Sequence, residues 1–343
     1  MKIAGQKNTQ DTLSRLLGMA IVVSMVFCFE IKTVLAEGDE DDLRIVVADD
    51  VLEDYERFLN GRTFSKITDF GGPYSRRDVV EIVLVQQALS RGGWTGAMTL
   101  IGGGNYARMR QMISVGEADI SGSSVWRRDI DEDGATMIAS HPVIPVGRFE
   151  AGFYMLADNP NRLRVHSLRD IRRMRAVSNR TWKPDWHALE KLDFSDLVHV
   201  PTWQLMVQFI ADDRADFLLA PFQPGSEMEL VVDGVRMLPI PGFKIALAGS
   251  RHFAVNKTVS DKTDLLAVLN RGLKALEDDG IVDQAYRQSG FFHPAVGDWK
   301  LIGAEEFGHS DTDIAPNPDN SMKNQIFSLR DNNGRLYPNP RLF

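Results

Sequence analysis

Two stretches of this chain, AMTLIGGGNYARMRQMISVGEADISG at 97–122 and LVHVPTWQLMVQFIADDRADFLLA at 197–220, follow one plan. Each reads strand, loop, amphipathic helix, tight turn, Ala-Asp, strand. A strand that feeds a helix and returns to a second strand closes only as a right-handed crossover in a parallel sheet, with its helices covering the faces. Two such units, similar in plan but not residue by residue, predict two similar α/β lobes.

The rest of the pattern fits around them. LRIVVA at 43–48 is a β-branched apolar run ending in Asp49-Asp50, which predicts a buried strand opening the first sheet. A helix is predicted over 76–89, with Val79, Val80, Val83, Leu84 and Ala88 on its inner face and Arg91-Gly92-Gly93 as its stop. The segment 55–72 reads as irregular. His141-Pro142 and Pro145-Val146-Gly147 break the first cycle. A strand at 151–156 then opens a second, with helices near 167–174, 184–192 and 203–211 and strands at 175–178, 198–200 and 217–219. A further crossing falls in 239–255, and a strong helix covers 262–276. Beyond Pro294 periodicity is lost, and 311–320 is rich in Pro, Asn and Asp.

The amino terminus has the grammar of a secretory signal. Lys2, Lys7 and Arg15 precede an apolar run at 16–29, and Val34-Leu35-Ala36 offers a cleavage site. The run has 14 residues, short of the roughly 18 to 20 needed to cross a bilayer. The only cysteine, Cys28, lies inside it between two phenylalanines, a poor context for lipidation. Without residues 1–36 the chain contains no cysteine, which excludes disulfides, thiol catalysis and cysteine-ligated metal. It then has 35 basic against 45 acidic residues, so nucleic acid is excluded as a partner.

Several phrases, in their order, resemble the bacterial type II periplasmic binding proteins, in particular the amino-acid-binding family 3 group and its orphan members. They are ISVGEADIS followed by a polar loop and an arginine pair, FEAGFYML after a proline turn, HSLRDIRRMRAV, FIADDRADFLLA and LNRGLKALEDDGIVDQAYRQSGF. The resemblance covers roughly residues 43–293. It implies two lobes joined by two crossing segments, near 143–151 and 247–252. Lobe 1 would comprise 43–147 and 252–295 and lobe 2 would comprise 148–251, with 296–343 a C-terminal extension. It also implies a monomer that binds a small-molecule ligand between the lobes by closing on it.

The loop Ser121-Gly122-Ser123-Ser124-Val125-Trp126-Arg127-Arg128 is the most informative for a site. In amino-acid binders the matching loop carries hydroxyls and an arginine that clamps the ligand carboxylate. Ser123 and Ser124, with Arg127 or Arg128, suit that task, because a guanidinium grips a carboxylate with two parallel bonds. Such binders also place an acid about five residues beyond the Asp of the second motif, against the ligand's ammonium. That Asp is Asp216, and Pro221 stands five further on. Asp185 or Glu227 would have to substitute, or the ligand lacks the amine. Aromatic side chains at loop positions, Tyr74, Tyr106, Trp126, Trp182, Trp203 and Phe222, offer cleft walls, Trp126 and Trp182 foremost. Asn105 follows the glycine turn of 102–104, which faces the cleft.

That glycine turn lacks the acidic residue a dinucleotide fingerprint needs some 20 positions on, so no cofactor is expected. The histidines at 141, 166, 187, 199, 252 and 293 show no metal-ligand spacing, and no GxSxG elbow occurs. The expected function is periplasmic, non-enzymatic binding of a small polar, carboxylate-bearing solute for an ABC-type importer. The alternatives are a ligand-sensing partner of a membrane sensor kinase and a dehydratase-like enzyme on the same fold, with Asp185 or Glu227 as its acid.

Overall fold

The computed structural model describes residues 42–194 and 196–302. The expected secretory signal with Cys28, and the expected extension beyond residue 302, lie outside the described residues.

The first sheet begins with β1 (Leu43–Val47). After Ala48, eleven residues form helix α1 (Asp49–Leu59), where the sequence reading had an irregular segment from residue 55. Its apolar stripe, Val51, Tyr55 and Phe58, has spacings of four and three, so one narrow face is buried beneath a polar surface. Helix α2 (Arg77–Gly92) has the opposite character: it is buried nearly all round, from Val79 to Leu89. Its polar members are satisfied internally. Gln86 accepts from the Tyr55 hydroxyl at 2.5 Å, and Gln87 donates to the carbonyls of Phe64 and Ile67.

Strand β2 (Met98–Gly102) leads to helix α3 (Tyr106–Ser114), capped by the Asn105 side chain, and then to β3 (Ile120–Ser121). A short β4 (Val125–Trp126), helix α4 (Arg127–Glu132) and β5 (Met137–Ile144) follow. After β5 the chain crosses to a second sheet. There lie β6 (Glu150–Leu156), helix α5 (Leu168–Arg172), β7 (Ala176–Ser178), helix α6 (Lys183–Lys191) and β8 (Leu197–His199). Helix α7 (Trp203–Ala211), β9 (Leu218–Pro221), β10 (Leu230–Val232) and the long β11 (Val235–Ala246) complete its main body.

The chain returns to the first sheet as β12 (Arg251–Asn256), followed by α8 (Lys257–Thr263), α9 (Leu265–Asp278) and α10 (Ile281–Gln288). The expected single helix at 262–276 is instead two, divided at Asp264, whose φ of 55° breaks the ladder. Helix α9 packs directly on α2. A Cβ on Gly272 would lie 1.7 Å from the Ala88 carbonyl oxygen, so only glycine permits this approach.

The result is an α/β molecule of two lobes. The first sheet runs β2-β1-β3-β12-β4, with β5 on β12; the second runs β10-β11-β6-β9. Strands β7 and β8 pair in parallel, and Ala176 bridges to Phe217 just before β9. The order β8-β7-β9-β6 therefore repeats β2-β1-β3-β12, each with three parallel strands and an antiparallel fourth.

The two Ala-Asp turns explain why the sequence motif recurs. Asp119 accepts from the backbone N–H of Arg44 at 2.7 Å and pairs with its guanidinium, which also donates to the Gly116 carbonyl. Asp216 accepts from the N–H of Arg175 at 2.6 Å and pairs with its guanidinium, which also donates to the Asp213 carbonyl. In both lobes one carboxylate thus ties the start of the first strand to the turn before the third.

The chain crosses between the sheets a third time. After α10 it passes over the second lobe and forms β13 (Lys300–Ile302), parallel to residues 243–245 of β11. Gly290 lets this segment pass, since a Cβ there would lie 2.2 Å from the Pro224 nitrogen. No helix among the described residues is long and apolar enough to cross a membrane.

The carboxylate ties predict unequal losses. Asp119→Ala, at a buried position, is expected to cost about 2–3 kcal/mol in urea unfolding, and Asp216→Ala, whose side chain is more exposed, about 1 kcal/mol less. Indistinguishable midpoints for Asp119→Ala and wild type would remove this role.

Candidate functional site

The loop after β3 turns back beneath the amino-terminal turn of α2, and the two are fastened by ionic hydrogen bonds. Glu81, fully buried on α2, accepts from the Ser124 N–H at 2.8 Å, the Ser124 hydroxyl at 2.7 Å, the Arg77 guanidinium at 2.8 Å and the Tyr286 hydroxyl of α10 at 3.0 Å. Glu81 and Arg77 lie four apart on one helix face, so the pair needs only the helix itself, and the loop docks onto it.

Arg251, the first residue of β12, comes to the same serine from the hinge side. Its Nε donates to the Ser124 hydroxyl at 2.8 Å and its Nη2 to the Ser124 carbonyl. Three aromatic rings surround its guanidinium, Trp126 at 4.8 Å, Phe149 at 5.4 Å and Tyr106 at 6.0 Å from the ring centroids. Only 6% of Arg251 is exposed, yet none of its hydrogen bonds or ion pairs among the described residues reaches a carboxylate. Burial, reinforced by the nearby Arg77, pushes its pKa down. An arginine remains cationic even so, leaving a buried positive charge without a counter-charge in contact.

Tyr106 is fixed in this wall by donating to Asp129 at 2.7 Å, while its oxygen accepts from the Trp126 N–H at 3.2 Å. Burial raises the Tyr106 and Tyr286 hydroxyl pKa values, so both are donors at neutral pH. In the second lobe, Asp185 lies in the first turn of α6, near enough to Arg251 and Arg77 for both to act on its carboxyl. Burial pushes its carboxyl up to about 6, against the downward pull of Arg251 and Arg77.

Contacts between the lobes flank the site. Lys183 of α6 pairs with Glu132 of α4 at 2.6 Å, the Arg128 guanidinium lies 3.4 Å from the His187 ring nitrogen, and the His293 ring lies 3.0 Å from the Gly225 carbonyl. A crevice of about 380 Å³ opens alongside. Trp126, Arg127 and Arg128 form its first-lobe wall, His187, Ala188 and Lys191 its second-lobe wall, and Ala248 and Gly249 its hinge edge.

Of the residues singled out in the sequence, Tyr106, Ser124 and Trp126 come together here around Arg251, with Asp185 near enough to feel its charge. Arg127 and Arg128 lie on the outer face of α4, with side chains 54% and 56% exposed, each paired one helical turn on with Asp131 and Glu132. They border the crevice and stand outside the buried cluster. Ser123 is buried, with its hydroxyl 3.9 Å from the Met109 sulfur. Asn105 caps α3 through Ala107 and Arg108, both at 3.1 Å. Tyr74 is exposed beneath the Arg57 guanidinium. Trp182 leans on Trp203 at 6.1 Å inside the second lobe, and Phe222 is buried edge-on to Trp299 at 5.6 Å. Glu227 is exposed.

Arg77, Glu81, Phe149, Arg251 and Tyr286 were not anticipated. One signal for Glu81 was present: a carboxylate at a core position of an otherwise apolar helix requires a buried partner. Arg251 gives no local signal, because its surroundings come from four separate segments of the chain.

No protein-family model matches the chain, and no curated protein sequence matches it. Among solved structures, it is similar to an amino acid ABC transporter substrate-binding protein, AbpA, from Streptococcus pneumoniae bound to L-arginine. That match has a TM-score of 0.48 and 13% identity, over 73% of this chain and 96% of that one. The periplasmic VFT2 domain of BvgS from Bordetella pertussis matches with a TM-score of 0.48 and 13% identity, over 72% and 93%. The ancestral amino acid-binding protein AncCDT-1, a precursor of cyclohexadienyl dehydratase, matches with a TM-score of 0.44 and 15% identity, over 73% and 95%.

The raised carboxyl of Asp185 sets a direction for pH. An aspartate with an unfolded pKa of about 3.9 that is held near 6 in the folded chain keeps its proton longer when folded, so its contribution to stability falls as pH rises between those values. Asp185→Asn, which cannot ionise, is expected to be more stable than wild type at pH 7–8, by on the order of 2 kcal/mol, with the difference closing toward pH 4. Thermal unfolding across this range reads it, and parallel pH profiles would refute it.

Proposed function

We propose that the chain is a periplasmic solute-binding protein of the type II group. It closes its two lobes on a small polar solute bearing a carboxylate and delivers the solute to an ABC-type importer. The observation that carries this reading is Arg251: a buried, aromatic-walled guanidinium at the start of β12, where the chain returns from the second sheet, without a carboxylate partner among the described residues. An anionic group placed there supplies the missing counter-charge, with a fork of donors that a lysine does not offer. Because such a solute touches both lobes only when they are closed, its binding draws the population to the closed form. The pairs Lys183–Glu132 and Arg128–His187 add to the closed form from outside the site.

A second reading, an enzyme of the dehydratase type, has one observation in its favour. Asp185 carries a carboxyl near pKa 6 at the lobe interface, which suits a general acid or base near neutral pH. Prolonged incubation separates the two: a binding protein returns the solute unchanged, and an enzyme returns product.

Native mass spectrometry of the exported chain, purified without refolding, identifies a retained solute, and that solute then serves in titration calorimetry. Arg251→Ala is expected to weaken binding about 100-fold or more, and Arg251→Lys about 10-fold, with the circular dichroism of wild type retained. The double change Arg127→Ala, Arg128→Ala is expected to alter affinity by less than about 5-fold. Full affinity in Arg251→Ala would sink the anchor, and loss in the double variant would move it to the outer crevice.

A further inference from the structure

Glu81 is an unusual occupant of its helix. Val79, Val80, Ile82 and Val83 around it are completely buried, and a lone carboxylate in such a place would be costly. It is tolerated because four donors converge on it from three parts of the chain. Arg77 comes from its own helix, the Ser124 N–H and hydroxyl from the loop after β3, and the Tyr286 hydroxyl from α10. A guanidinium, a backbone N–H and two hydroxyls aimed at one point constitute an anion-binding hole. The hole lies at the lobe interface: Ser124 also accepts from Arg251, and Arg77 and Arg251 both act on Asp185 across it.

We infer that Glu81 is an internal ligand, a tethered carboxylate that fills this hole and closes it to carboxylates from outside. Its charge offsets that of Arg77, so one uncompensated guanidinium, Arg251, remains for a solute. The second statement rests on the solute-binding reading, and it selects solutes that present one anionic group to this wall. A second such group would meet no free donor cluster there, since of the hole's donors among the described residues only the Arg77 Nε–H is left unpaired. The hole and its tethered occupant stand on the geometry alone.

Truncation and replacement test this directly. Glu81→Ala removes four non-hydrogen atoms, a methylene carbon and a carboxylate, which are the heavy atoms of acetate. The probe is therefore sodium acetate, with sodium chloride at equal concentration as the control for ionic strength. In Glu81→Ala the melting temperature is expected to rise saturably with acetate, by about 3 °C or more beyond chloride. Wild type, and Glu81→Gln, whose amide still fills the space, are expected to show at most the smaller acetate response that Arg251 alone would give. Equal responses of Glu81→Ala to acetate and chloride would overturn the inference, as would an acetate response in wild type of the same size. If Glu81→Ala is too unstable to purify, its refolding yield from urea in the two salts gives the same decision, with equal yields counting against the hole. Acetate rescue together with no detectable solute in native mass spectrometry would leave the internal ligand standing and remove the solute-binding reading.

Discussion

The buried carboxylate of Glu81 is the interaction on which the first lobe's inner face depends. It joins helix α2, the loop that follows β3 and helix α10, three segments separated by 43 and 205 residues in sequence from Glu81 outward. Burying one charge forces others to come with it. Arg77 must lie within reach to neutralise Glu81, Ser124 must present both its N–H and its hydroxyl, and Tyr286 must turn its oxygen inward. Losing any one leaves a polar group stranded in a medium where that costs more than at a surface. Ser124, fixed in this way, presents its hydroxyl oxygen and carbonyl to Arg251, so the position of the hinge guanidinium is set at second hand by Glu81.

The carboxylate of Asp119 works at the opposite end of the first lobe's strands, and Asp216 holds the corresponding place in the second lobe. Each closes a helix-to-strand turn by bonding the backbone and side chain of an arginine at the start of the neighbouring strand. The two lobes therefore share a mechanical element as well as a strand order. Between them the chain runs through three connections, and the third, which ends in β13, ties the end of the first lobe's helices to the second lobe's sheet. Phe222, Met228, Val296 and Trp299 form a small apolar cluster along this path.

The candidate site was partly legible. Ser124, Trp126 and Asp185 were recognisable because each sits in a polar stretch at the end of a strand or the start of a helix, where α/β folds place functional groups. The arginines beside them stand on an exposed helix face: in RRDIDE, Arg127 and Arg128 stand four residues before Asp131 and Glu132, a spacing that favours exposed pairs as strongly as it suggests a clamp. Phe222 and Trp182 look like loop aromatics by position, yet Phe222 is buried against Trp299, far away in sequence, and Trp182 is half-buried against Trp203 of its own lobe.

From the sequence by itself came the two α/β cycles, their helix faces and the Ala-Asp turns, since strand and helix periodicity and short-range turn chemistry are local properties. Helix α1 lay within reach of the same reasoning, because its stripe of Val51, Tyr55 and Phe58 is local too. Only the tertiary structure decided which arginine is buried and which carboxylate is spent. Arg251 follows one glycine-serine hinge and Glu81 sits in one apolar helix, and neither setting says what will face it. Their meeting at Ser124 depends on β12 returning to pair with β3 and β4, a contact between segments more than 120 residues apart, and burial of charge is settled by such long-range closure alone.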